Sequence, residues 1–335
     1  MLIFNLKNLL FGSFMNYFCV FSVFPENKRF RLFGKWGFTR KNKKQESMNT
    51  FDYSVTNTDH RGYLVLIGGA EDRKTDKVVL KKVVALNNAK TAVIIPTASE
   101  YPKGLAEDYV RAFKDIGVEK FFTFDIREKS ETDKIEYIEQ VMQADLIFFT
   151  GGDQFRLVNV FLDTFLFEKI KERFSKGATI AGTSAGAAAA CDPIIFDGDD
   201  RGLRKGAIHH SRGFGFIKNI TIDTHFVNRG RLGRLTQFLC SGMSTKGIGL
   251  GEDTAIVIDH DDVFEVIGSE MVTVVNTSET SYSNYDNIKD NDPIVINDIR
   301  VGFLQSGSIF DMKKWNVVSG NASNITDSKT IEIYN

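Results

Sequence analysis

Gly182-Thr183-Ser184-Ala185-Gly186 has the G-x-S-x-G spacing of a nucleophile elbow. A serine on a sharp strand-to-helix turn sits in a strained backbone conformation. Bulky neighbours obstruct such a turn, and small residues let strand and helix close up. The flanking sequence fits: residues 178–181 are small or β-branched, and four alanines follow the turn. The turn would also bring the N–H of Ala185 to a helix N-terminus, where a developing oxyanion is stabilised. The chemistry is acyl transfer through a serine ester; the competing reading is a plain structural turn.

A serine nucleophile needs a base, an acid to orient that base, and an oxyanion hole. His225, in Ile222-Asp223-Thr224-His225-Phe226, lies just past an apolar run, whereas His60, His209, His210 and His260 fall in polar, loop-like stretches. For the orienting acid, Glu252 stands at the end of a strand-like segment, with Asp199 and Asp200 as alternatives on a loop. Gly151 and Gly152 could complete the oxyanion hole, although Thr150-Gly151-Gly152-Asp153-Gln154 also reads as a strand-to-helix turn with Asp153 as N-cap. Arg229, Arg231 and Arg234 follow the candidate base closely. Three guanidiniums beside a catalytic centre suit a substrate with several carboxylates, against the plainer reading of a solvated face. Asp223 would bind a cationic group of the substrate or pair with one of these arginines.

These residues need a scaffold that brings strand ends together. From Gly62 onward, strand-like segments built on apolar runs without alternation (63–69, 91–99, 118–126, 144–154, 178–186) alternate with helical patterns. That order predicts a parallel sheet with helices on both faces. Its chemistry lies beyond the carboxyl ends of the strands. Gly68-Gly69, Gly151-Gly152 and Gly182 to Gly186 all fall at such ends and should converge. The segment 155–177 reads as one long helix closed by Gly177. Beyond Gly213 come a strand at 219–226, a stretch over 229–242 that begins basic and continues as a helix, several strands over 247–276, a polar stretch over 278–293 and a late strand pair over 299–315. One α/β domain spanning 61–335 is expected.

The chain has 335 residues, 42% hydrophobic and 25% charged, with a net charge of -1. That balance gives no argument for nucleic acid or an anionic membrane. Three scattered cysteines and five histidines offer no metal-ligand spacing and suit a reducing, cytoplasmic compartment. Residues 1–60 stand apart. The Phe- and Leu-rich start, followed by basic residues, reads either as an extension ahead of a start at Met48 or as a signal or membrane anchor.

The ordered set LIGGAEDRK, IIPTASEYP, FFTGGDQFRL, GTSAGAA, DTHFVNRGRLGRL, GIGLGEDTAIVI and FEVIGSEMVTVVN resembles the cyanophycinases, serine-type exopeptidases related to the aspartyl dipeptidases. The resemblance covers roughly Gly62 to Asp311. It implies a three-layer α/β sandwich with a mostly parallel central sheet, like class I glutamine amidotransferases and dipeptidase E. It implies Ser184 as nucleophile, His225 as base and Glu252 as third member. It places the substrate pocket at Gln154, Asp223, Thr224, Arg229, Arg231 and Arg234, and it implies a homodimer without metal or organic cofactor. The substrate of that family is a poly-aspartate backbone carrying arginine on each side-chain carboxyl, released as β-aspartyl-arginine. One position departs: the family pattern has Gln before the histidine, where this chain has Thr224, whose shorter side chain reaches less far toward a substrate. Two other readings stay open: an amidotransferase-like enzyme using a cysteine, for which Cys191 lies beyond the turn, and a binding protein that has lost catalysis.

Overall fold

The structure is a computed structural model that describes residues 61–198 and 202–320. The expected N-terminal extension and the alternative acids Asp199 and Asp200 lie outside the described residues.

The first half alternates as the apolar runs predict: β1 (Leu64–Ile67), α1 (Val78–Ala85), β2 (Thr91–Ile95), α2 (Pro102–Ile116), β3 (Lys120–Thr123), α3 (Ile135–Gln143), β4 (Leu146–Phe149), α4 (Gln154–Phe161), α5 (Phe165–Ser175), β5 (Thr179–Thr183) and α6 (Ala185–Ala189). The second half is rich in strands: β6 (Cys191–Asp192), β7 (Ile194–Gly198), β8 (Ile208–Ser211), β9 (Ile217–Lys218), β10 (Ile220–Thr224), α7 (Leu232–Leu239), β11 (Lys246–Leu250), β12 (Thr254–Ile258), β13 (Val263–Gly268) and β14 (Val272–Asn276). It closes with β15 (Tyr282–Ser283), β16 (Ile296–Asn297), β17 (Arg300–Leu304), β18 (Ile309–Asp311) and β19 (Asn316–Ser319).

The nine-stranded central sheet runs β19-β18-β13-β12-β1-β5-β4-β2-β3. Its β1-β5-β4-β2-β3 half is parallel throughout, with Leu64 opposite Ile180 and Ile67 opposite Thr183. The β1 residues show why the runs do not alternate in polarity. Leu64 and Leu66 face a core with α3, α4, α5 and α6, while Val65 and Ile67 face a core with α1 and α2. A strand buried on both faces must be apolar at every position. Three layers result, as expected.

The structure departs from the reading of the sequence in three places. The long helix predicted over 155–177 is two helices: Leu162 is extended, Asp163 has φ 60°, and Thr164 caps α5 by accepting the Phe167 N–H at 3.1 Å. A Thr N-cap inside an apolar run ends one helix and starts the next. The late strands β17 and β18 do not pair with each other: β17 joins β14, and β18 joins β13 in the central sheet. The strands after Gly213 also build a separate four-stranded sheet, β10-β11-β14-β17, in which β10 and β11 are parallel. Ile222, Ile248 and Leu250 of that sheet share a core with Leu64 and Phe149 of the large one.

Among the described residues no helix is long and apolar enough to cross a membrane.

Candidate active site

Ser184 follows β5 with φ 50° and ψ -109°, a conformation outside the ordinary allowed regions for a residue with a Cβ. The glycines around it are there for space. A Cβ at Gly182 would sit 2.4 Å from the Gly186 carbonyl carbon, and one at Gly186 would sit 2.3 Å from the Phe149 carbonyl oxygen. The strand and the short helix α6 therefore touch backbone to backbone, which answers why small residues wall in this serine.

His225 is the first residue past β10, at φ 49°, and Glu252 lies two residues past β11. The parallel pairing of β10 and β11 brings both to one end of the small sheet. Ser184 Oγ lies 2.9 Å from His225 Nε2, and His225 Nδ1 lies 2.7 Å from Glu252 Oε1. With Glu252 accepting the Nδ1 proton, Nε2 is left as the acceptor for the serine hydroxyl. Glu252 is held in turn by its own N–H, which donates to Glu270 Oε2 at 2.9 Å, while Asn228 Nδ2 donates to Glu270 Oε1 at 2.9 Å.

Ala185 opens α6, so its N–H has no acceptor within the helix. The second strand end arrives as expected: a Cβ on Gly151 would lie 3.3 Å from Ser184 Cβ. Gly152 has φ 139° and packs against the Ala98 carbonyl, where a Cβ would come within 2.1 Å. Asp153 does cap α4, accepting from Phe155 and Arg156. Gln154 opens α4 and donates its amide to the Ile195 carbonyl at 2.9 Å, which fastens β7 beside it.

The arginine cluster differs from the expectation of three guanidiniums turned to a substrate. Asp223 is only 3% exposed and Arg234 only 7%. Arg231 Nη1 meets Asp223 Oδ1 at 3.0 Å and the Thr224 carbonyl at 2.8 Å, and Arg234 Nε lies 3.4 Å from Asp223 Oδ2. Of the two roles open to Asp223, the structure shows pairing with arginine. The physical reason is burial: a carboxylate out of water needs compensating charge, and Asp223 takes it from the same chain. Burial pushes its carboxyl above the ordinary range, against the pull of Arg234 and Arg231. Thr224 is buried at the end of β10, and Arg229 is the exposed arginine of the three.

Cys191 does not compete as nucleophile. It is fully buried, its sulfur contacts the Ala188 and Pro193 carbonyls at 3.2 Å, and burial pushes its thiol up to about 12. Among the described residues no group of three or more His, Cys, Asp or Glu side chains is placed to hold a metal ion.

Three polar residues near the site escaped the sequence reading: Glu71, Asn228 and Glu270. Each stands in a stretch that reads as loop, with no periodicity to single it out. Elsewhere, a cleft of about 460 Å³ lined by Arg61, Lys218, Lys246 and Lys313 opens at the starts of β1 and β11. That is the opposite end of these strands from Ser184 and Glu252.

Known proteins resemble this chain in sequence and in fold. The model for peptidase family S51 matches residues 64–266. A protein named cyanophycinase from Geminocystis herdmanii is 33% identical over 264 residues, which cover 78% of this chain and 97% of that one. Another so named, from Synechococcus elongatus, is 30% identical, covering 76% of this chain and 80% of its own. The crystal structure of a peptidase from an acI-B1 Actinobacterium aligns with a TM-score of 0.59 at 22% identity, over 76% of this chain and 98% of that one, and so shares the fold. A family model and relatives of this extent leave one placement: the chain belongs to peptidase family S51, and it is a serine-type peptidase.

Proposed function

We propose that this peptidase degrades cyanophycin, releasing β-aspartyl-arginine dipeptides through an acyl-enzyme on Ser184. The observation that carries the mechanism is the run of two hydrogen bonds, Ser184 Oγ to His225 Nε2 at 2.9 Å and His225 Nδ1 to Glu252 Oε1 at 2.7 Å. The substrate rests on relatives bearing the name cyanophycinase at 30–33% identity over 80–97% of their own lengths.

In this reading His225 Nε2 takes the Ser184 proton as Oγ bonds to the scissile carbonyl carbon. Glu252 holds the imidazole in the required tautomer and stabilises the imidazolium. The N–H groups of Ala185 and Gly152 meet the oxyanion; one such donor is worth about 10²–10³-fold in rate. His225 then gives its proton to the departing nitrogen, and the C–N bond breaks. Water, deprotonated by the same imidazole, releases the acyl group and restores the serine hydroxyl. Arg229 is exposed and near the base, the right chemistry for a substrate carboxylate. Buried Asp223 and Arg234, with the half-buried Arg231, shape the wall beside it as an ion-paired set.

Thr224 favours a second reading, a peptidase of other α- or β-aspartyl peptides, because its side chain is short and buried where the cyanophycinase pattern has Gln. Incubating the protein with insoluble cyanophycin and weighing the soluble products by mass spectrometry separates the two. Release of β-aspartyl-arginine by the wild type and none by Ser184→Ala is expected. Cleavage of small aspartyl peptides without polymer release moves the substrate to the second reading. Undiminished activity in Ser184→Ala refutes the mechanism.

A further inference from the structure

The loop that leaves β1 touches the segments that carry Ser184, His225 and Glu252. Three consecutive carbonyls accept backbone N–H groups from three different strand ends: Ile67 from Ser184, Gly68 from His225 and Gly69 from Asp253, each at 2.9 Å. Gly69 also lies against the imidazole of His225, and the Asp72 N–H donates to Asp253 Oδ1 at 2.9 Å. Nucleophile, base and acid thus take their spacing from one short stretch, residues 67–72.

That stretch is strained. Gly69 has φ 101° and Ala70, a residue with a Cβ, has φ 52°. Such a conformation persists only where the surroundings over-determine it. Within the stretch, Glu71 supplies a side-chain anchor. It is 4% exposed, and both its carboxyl oxygens accept hydroxyl hydrogen bonds: Oε2 from Thr183 Oγ1 at 2.6 Å, and Oε1 from the Tyr109 hydroxyl. Thr183 is the last residue of β5, immediately before the nucleophile. Tyr109 belongs to α2 and is itself fixed, its ring 4.6 Å from that of Phe148 on β4 and its face 5.2 Å from the Arg73 guanidinium. One buried carboxyl group therefore ties the strained loop both to the strand that ends in Ser184 and to the helix layer behind it.

We infer that Glu71 is a positioning residue for catalysis: through Thr183 and Tyr109 it fixes the β1 loop, and with it the distance between Ser184 and His225. Glu71 touches neither substrate nor reacting atoms. The inference rests on Ser184 as nucleophile. Burial, then the negative charge of Glu71, raises Tyr109 well above the ordinary phenol range, so this donor keeps its proton.

The test compares Thr183→Val, Tyr109→Phe and Glu71→Gln with wild type, using a soluble β-aspartyl-arginine oligomer as substrate and thermal unfolding as the check on folding. Thr183→Val removes the donor at nearly constant shape. It should lower kcat by about tenfold to a hundredfold with KM unchanged, as expected when reacting groups are misplaced by a fraction of an ångström to 1 Å. Thr183→Ser, which keeps the hydroxyl, should restore most of the rate. Glu71→Gln should lower kcat similarly, and the Thr183→Val/Glu71→Gln double variant should lose no more than the worse single one, because the two act as a unit. Should Glu71→Gln not fold, the Thr183 and Tyr109 variants decide alone. Folded Thr183→Val with wild-type kcat, or losses that multiply in the double variant, would overturn the inference. So would a lowered melting temperature with kcat intact, which marks a role in stability only. Ser184→Ala, run alongside, reports separately: if it is active, the nucleophile assignment fails instead.

Discussion

Gly69→Ala is the sharpest perturbation of the proposed mechanism. A Cβ there would lie 2.4 Å from His225 Cε1 and 2.5 Å from Nε2, the atom paired with the serine hydroxyl. Carbon–carbon contacts settle at about 3.5–4.0 Å, so the ring or the loop must give by roughly 1 Å. The ring cannot yield without stretching its 2.9 Å bond to Ser184 or its 2.7 Å bond to Glu252. A displacement of about 1 Å in a reacting group costs about 10²-fold in rate, equivalent to ~2.7 kcal/mol of barrier. The backbone adds a separate term: at φ 101°, alanine is strained by about 1–3 kcal/mol, which lowers stability. Gly117→Ala separates the two effects. Gly117 has φ 110°, and a Cβ there meets nothing within 4 Å, so the strain is present without the collision. Steady-state hydrolysis of a β-aspartyl-arginine oligomer, with thermal unfolding of the same samples, reads both. Gly69→Ala should lose stability and about 10²-fold in kcat, while Gly117→Ala should lose stability alone. Wild-type kcat in Gly69→Ala, or an equal loss in Gly117→Ala, would refute the reasoning.

Three further outcomes follow from the buried and capping groups. Asp223→Ala removes the carboxylate that Arg231 and Arg234 share and should destabilise the fold by about 3–5 kcal/mol in chemical denaturation, whereas a loss under 1 kcal/mol would show the pair is solvated. Cys191, its thiol raised to about 12 by burial, should resist iodoacetamide at pH 8 in the folded protein and react once unfolded, as followed by mass spectrometry of its peptide; fast native labelling contradicts the burial. Asp72 accepts from the N–H groups of Lys77, Thr75 and Lys74 and from the Thr75 hydroxyl, which hold its carboxyl well below the usual carboxylate range. Its folded pKa is depressed, so its contribution is complete above the unfolded value of about 3.9 and is lost as pH falls below that toward the folded value. The stability gap between wild type and Asp72→Ala should be flat near neutrality and shrink in acid; a gap that widens in acid would reverse the sign.

The meeting of Ser184, His225 and Glu252 was legible because position in the fold leaves marks in sequence: glycines at a backbone contact, and polar residues just past apolar strands. The parallel half of the sheet was legible for the same reason, since β1, β2, β4 and β5 are buried on both faces and carry no alternation. What stayed hidden was partnership over long separations. Nothing near Asp223 in the chain says whether Arg231 will face it or face solvent, because a basic cluster looks the same in either case. Glu71 meets Thr183 across 112 residues, and Glu270 meets the Glu252 N–H across 18. The break at Asp163 was hidden because apolar side chains continue through it, and only the hydroxyl of Thr164 marks the new N-terminus.

Four residues with a Cβ and positive φ, Ala70, Ser184, His225 and Asp253, stand on the loops that meet at this site. Each costs on the order of 1–3 kcal/mol, and here four of them meet where side chains must be aimed. The geometry explains the need. Ser184 comes from the large sheet, and His225 and Glu252 come from the small one, so no single run of strands can set the distances among them. The shared core of Leu64, Phe149, Ile222, Ile248 and Leu250 holds the two sheets together, but apolar contact is non-directional and tolerates sliding. Hydrogen bonds do not, since they weaken steeply when misaligned. The Ile67 carbonyl holds Ser184 within the large sheet, and the Gly68 and Gly69 carbonyls beside it hold His225 and Asp253, past the ends of β10 and β11, where the backbone turns through positive φ at Gly69 and Ala70. Strain and alignment at this site are therefore one feature: relaxing the loop to ordinary dihedrals would turn the Gly68 and Gly69 carbonyls away from His225 and Asp253 and leave the packed core alone to set the spacing of serine and histidine.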